Sequence, residues 1–185
     1  MSETLLPEQR RAMDYLAHKG TGASTDKLRD QLQVAFAAIE SAFDAVPTDR
    51  REFSPAAGKW SAHEILDHLV LSHEPAIPQL ASLLAGVSPS SIAVPADLHR
   101  SAEARPAWNA LRSSLGEVHH EFMRLMASAS DDLSLDAKAA VEIVVKVDSM
   151  PKHWIEHLDW KAFVQAIRVH TIEHQNQLTR TISGS

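Results

Sequence analysis

The chain has 185 residues, 44% of them hydrophobic, with a formal charge of −6 and a pI near 6.0. That length suits one domain with a substantial core, and the singly scattered Lys and Arg disfavour nucleic acid and anionic membrane surfaces as partners. Cysteine is absent, which excludes disulfides, thiolate metal ligands and a cysteine nucleophile; thiol chemistry would need a thiol brought in by a small molecule.

The N-terminal run MSETLLPEQR has no basic n-region and no apolar h-region, and no stretch approaches the ~18 apolar residues of a membrane span. The expectation is a cytoplasmic chain. Residues 1–24 read as peripheral, with a short helix from Pro7 to Lys19 broken by GTGAST. A long helix follows from about Asp26 to Val46. Leu28, Leu32, Ala35, Phe36, Ile39, Ala42, Phe43 and Val46 share one face, Ser24 or Thr25 caps it, and Pro47 stops it.

The loop PTDRREFSPAAGK leads to Trp60. Ser61 with Glu64 forms a capping-box pattern that opens the second helix. Ile65, Leu66 and Leu69 form its stripe, with His68 at the edge. Pro75 and Pro78 kink or end it, and LASLLAG suggests a helical continuation. Residues 86–105 read as a Ser/Pro/Ala-rich connection. The third helix starts near Pro106 and carries Trp108, Leu111, Leu115, Val118, His119, Phe122, Leu125 and Met126 at helical spacing. A second connection spans roughly 128–158, and its segment AAVEIVVKVD reads as a short strand or an extended strap. Asp159 then caps the last helix, from about Trp160 to Ile182, with Phe163, Ala166, Ile167, His170, His174 and Leu178 facing inward. The pattern predicts an all-α four-helix bundle over residues 25–185, with two long crossover connections.

Three histidines carry most of the chemistry. His170 and His174 are spaced i, i+4, so one helix face presents both, one turn apart. His68 sits near a core-facing edge of another helix. Neutral imidazole is the commonest protein metal ligand, and three of them leave a catalytic ion an open position. The plainer reading is partly buried histidines bonded to carbonyls or carboxylates.

The runs KWSAHEILDHLV and, much later, VHTIEHQNQL resemble the DinB-like superfamily of metal-binding helical bundles. Trp60 stands where the family opens its second helix, and His68-Leu69 follow as its His-Leu pair. His170, His174, Gln177 and Leu178 match its last-helix motif. The resemblance covers roughly residues 25–183. It implies a divalent ion held by His68, His170 and His174, zinc or nickel first and iron next. It also implies reactions of two classes: thiol transfer or thiol-assisted isomerisation with a low-molecular-weight thiol such as bacillithiol or mycothiol, or metal-assisted hydrolysis of a small molecule. Related bundles often pair, so a homodimer is expected. The competing expectation is a non-catalytic metal-binding protein, a stress-associated dimerisation or binding module.

Other residues are open to two readings. His170-Thr-Ile-Glu-His174 fits the inverted zinc-protease pattern, with Glu173 as general base. The further carboxylate ligand of that pattern is missing, since none of the eleven residues after His174 is Asp or Glu; a solvated Glu173 is the plainer reading. Glu64 suits the cap better than the metal. Gln177 either orients His174 or lies on the surface. His119 reads as a hydrogen-bonded core residue. His63, His73, His99, His120, His153 and His157 read as surface or loop residues. The four tryptophans read as packing residues, with Trp154 a candidate pocket wall.

Overall fold

Helical periodicity becomes a bundle because four amphipathic faces bury one another. The structure is a computed structural model and describes residues 7–90, 93–95, 97–147 and 150–183. The readings made for residues 1–6 therefore lie outside the described residues. The elements run α1 (Pro7–Leu16), a π-helical turn (Ala17–Thr21), α2 (Thr25–Asp44), α3 (Ala62–His73), α4 (Ala76–Leu84), α5 (Trp108–Ala127), β1 (Ala139–Val147), β2 (Met150–Leu158) and α6 (Trp160–Ser183). Helix α2 lies along α6, and α3 packs on α5 and α6.

The helix starts follow the capping chemistry of the sequence. Ser61 Oγ accepts from Glu64 N at 3.2 Å, and Glu64 Oε2 accepts from Ser61 N at 2.8 Å, closing the predicted box. Asp159 Oδ1 accepts from Ala162 N at 2.9 Å and caps α6. Pro75 acts as expected, since α3 ends at His73 and α4 resumes at Ala76. Pro78 instead falls in the first turn of α4, where its missing N–H costs no intrahelical bond, and the helix runs on to Leu84.

The second connection departs from expectation. It is a two-stranded antiparallel hairpin in which Ala139 pairs with Leu158 and Val147 with Met150. Only AAVEIVVKV reads as a strand in the sequence; its partner MPKHWIEHL does not. Ala139 and Leu158, at the root of the hairpin, are buried in the core.

The segment before α2 is tied to α6. Leu16 is buried, and Gly20 lies so close to α6 that a Cβ there would sit 2.7 Å from Ala162 Cα. Glycine is required because backbone, not a movable side chain, fills that space. Gly20→Ala is expected to push the π turn off α6 at a cost of about 1–3 kcal/mol. Urea denaturation would show it as a lowered midpoint with an unchanged slope.

The apolar core falls into two clusters. Phe36, Leu80, Phe122, Trp160 and Phe163 belong to one, and Ile39, Phe43, Leu69, Leu115 and Leu178 to the other. Along α3, α5 and α6 the chain passes from one cluster to the other through histidines: His73, His119, and His170 with His174. A layer of imidazoles thus crosses the bundle where the two apolar clusters meet.

Candidate metal centre

Helix α6 supplies His170 and His174 from adjacent turns, and α3 supplies His68 from across the bundle. One nitrogen of each lies within 4.8 Å of the others, an arrangement that could hold a metal ion. His170 Nε2 is 3.0 Å from His68 Nε2 and 3.0 Å from His174 Nε2. His68 is fully buried and the other two are half-buried.

Hydrogen bonds on the far side of two rings fix what these nitrogens carry. A carbonyl can only accept, so His68 donates its Nδ1–H to Leu98 O at 2.8 Å. His174 likewise donates its Nδ1–H to Gln177 Oε1 at 2.9 Å. In the neutral rings both Nε2 atoms are then lone pairs aimed at His170 Nε2. Three close imidazole nitrogens with at most one proton among them are a poor hydrogen-bond set and a good ligand set. A tetrahedral ion with bonds of about 2.0–2.1 Å spaces its ligands about 3.3–3.4 Å apart, only slightly wider than these rings stand. The donor set fits a borderline-soft divalent ion.

The electrostatics agree. Burial and the neighbouring imidazole of His68 push His174 down to about 3, against the pull of Gln177. Burial, with the surrounding histidines His174, His73 and His68, holds His170 well below the ordinary value. Burial also lowers His68. All three are neutral at pH 7, the state a metal ligand requires.

The connection between α4 and α5 roofs α3. Arg100 N donates to Asp67 Oδ2 at 3.1 Å, and the Arg100 guanidinium pairs with the other carboxylate oxygen of Asp67. Asp67 is fully buried. This pair pins residues 98–100 to α3 and so delivers the Leu98 carbonyl to His68. Trp60 closes one side: its ring stacks on His174 at 5.9 Å and 9°, and lies 4.9 Å from His68.

The structure thus joins the three predicted ligands and Gln177. Glu173 stands on the exposed side of α6, and no described contact joins it to the triad. Glu64 serves the cap and meets Arg105 Nη2 at 3.2 Å. His119 is a core residue bonded to Glu40 at 2.5 Å. Two of the supposed surface histidines are corrected. His63 is buried, bridging Glu52 and the Pro106 carbonyl. His73 is fully buried, 3.2 Å from His170 Nδ1. Sequence reasoning also missed Asp67, Arg100 and the Leu98 carbonyl. A charged Asp67 one residue before His68, on a helix otherwise apolar there, was the available signal.

The model of the DinB superfamily matches residues 31–159, well over half of the chain. The chain belongs to the DinB superfamily. The matched span ends one residue before α6, so His170 and His174 lie beyond it and join this superfamily member's site through the structure. Among solved structures the chain is similar to YfiT from Bacillus subtilis, described as a probable metal-dependent hydrolase with an unusual four-helix bundle topology. The TM-score is 0.58 at 16% identity, covering 100% of this chain and 94% of that one. At that identity the likeness carries the fold. No curated protein matches the chain. No helix among the described residues is long and apolar enough to cross a membrane.

Proposed function

We propose that this DinB-superfamily chain is a metal-dependent enzyme whose His68, His170 and His174 hold one divalent cation, zinc or nickel first and iron next. The observation that carries the reading is the convergence of three neutral imidazole nitrogens, two of them oriented as lone pairs by Leu98 and Gln177. A divalent ion bound there supplies Lewis acidity and brings a coordinated water or thiol to a reactive charge state near neutral pH.

The rest is the work of the chain's own residues. Three neutral ligands leave the site a full net positive charge, which favours an anionic nucleophile or substrate group. Trp60 shields one side of the ring cluster from water. Leu98, held by Asp67 and Arg100, and Gln177 keep two rings from turning. Glu173, on the exposed face, is assigned no step.

Hydrolysis of a small molecule is the first reaction class, supported by the description of the similarly folded YfiT. Transfer or isomerisation with a low-molecular-weight thiol is the second, supported by a chain without cysteine, whose site a cosubstrate thiol would enter without a competing thiolate. A two-fold dimer and a cytoplasmic setting belong to the same proposal.

Cobalt(II) loading tests whether the site is open. An enzyme centre should give a cobalt spectrum that changes on adding a small thiol, with a sulfur-to-metal charge-transfer band, or on adding a competing anion. A spectrum indifferent to both would make the ion a staple of the bundle and the protein a non-catalytic binding module.

A further inference from the structure

The ring behind His170 is itself a histidine. His73 Nε2 lies 3.2 Å from His170 Nδ1, and His73 is fully buried. Behind it, His73 and His119 stand with ring centroids 5.6 Å apart. His119 stacks on Phe36 at 3.7 Å and 5°, and its Nδ1 meets Glu40 Oε1 at 2.5 Å. Glu40, with its side chain 34% exposed, carries the row to the surface of α2.

The proton positions along this row follow from one another. If His170 Nε2 is a ligand atom, its Nδ1 must carry the proton, and among the described residues His73 Nε2 is the atom placed to accept it. His73 then holds its own proton on Nδ1. At the other end the Glu40 carboxylate accepts, so His119 carries its proton on Nδ1 and a lone pair on Nε2. His73 Nδ1 and His119 Nε2 are the two ring atoms in the row without a hydrogen-bond partner. They are a donor and an acceptor on neighbouring rings, so every ring is polarised in the same direction, from the metal site toward Glu40.

We propose that His73 is a positioning residue for the metal centre: its Nε2 accepts the Nδ1–H of His170 and holds that ring with Nε2 toward the ion, while Glu40 and His119 set the polarity of the row behind it. A carbonyl or carboxylate ordinarily serves this purpose behind a metal-bound histidine. Here Leu98 O and Gln177 Oε1 serve His68 and His174, and a neutral imidazole serves His170. The inference rests on the metal reading above.

The test uses zinc affinity and imidazole tautomers of the full chain. His73→Leu keeps the site apolar and removes the acceptor, and is expected to weaken zinc binding about 10–100-fold. His73→Gln places an amide oxygen near the lost Nε2 and should recover affinity to within about threefold of wild type, a rescue that simple cavity filling does not predict. In zinc-loaded wild type, long-range proton–nitrogen correlation spectra should show His73 and His119 as neutral rings protonated at Nδ1; this readout needs no variant to fold. A His73 protonated at Nε2, or His73→Leu binding zinc as wild type does, overturns the proposal alone. Metal-free wild type that takes up neither zinc nor nickel overturns it together with the metal reading.

Discussion

Metal-free protein should lose stability steeply between pH 7 and pH 5. Burial holds His73 and His170 well below the ordinary histidine value, and burial with the His68 imidazole brings His174 to about 3. His68 and His119 are lowered by burial as well, the latter against the pull of Glu40. An unfolded histidine takes up its proton near pH ~6.5. Below that pH the unfolded chain binds protons that the folded chain refuses. The stability is therefore complete above about pH 6.5 and is lost as pH falls. His174 alone, brought to about 3, should remove about 2 kcal/mol at pH 5, and His73 and His170 act in the same direction, against the ~5–15 kcal/mol that holds an ordinary domain together.

Bound metal should blunt this loss. An ion that binds only the folded chain adds about 4 kcal/mol at a thousandfold excess over its dissociation constant. Urea unfolding at pH 7 and pH 5, with and without zinc, reads both effects. Equal midpoints at the two pH values in metal-free protein would mean that the imidazole layer is hydrated and not sealed between the apolar clusters.

Arg100→Ala should cost about 3 kcal/mol, the low end for breaking a buried ion pair. It leaves the carboxylate of Asp67, fully buried, without its guanidinium, although the Arg100 backbone N–H still donates to it at 3.1 Å. Asp67→Ala should cost less than half as much, because the Arg100 side chain is 28% exposed and can turn to water. Both variants free the segment that holds Leu98 against His68, so both should weaken metal binding about tenfold. Thermal unfolding of the metal-free proteins separates the first effect from the second. The reverse order of stabilities would contradict the burial assigned to Asp67.

The parts of this fold that were legible in the sequence are those with local causes. The capping box at Ser61 and Glu64, the stop at Pro75 and the i, i+4 pair of His170 and His174 follow from neighbours a turn away. Strand β1 shows itself through its run of β-branched residues. Strand β2 does not, because Pro151, Lys152, His153 and His157 face solvent and its strand character comes only from pairing with β1.

His73 was misread for a related reason. It stands five residues after His68, about 140° around a helix with 3.6 residues per turn, which is a solvent face on an ordinary amphipathic helix. Helix α3 has no such face there, since His63, Ile65, Leu66, Asp67, His68, Leu69, Val70 and His73 are all buried. The carbonyl of Leu98 left no trace in the sequence at all, because any residue brings the same backbone oxygen.

The central claim is that His68, His170 and His174 bind a divalent ion. The direct measurement is metal content by mass spectrometry on untagged protein purified without added metal, beside His68→Ala and His174→Ala. The account predicts close to one equivalent of zinc, nickel or iron in wild type, lost in both variants while their helical circular dichroism persists. Metal-free wild type that also takes up neither zinc nor nickel when offered would contradict it.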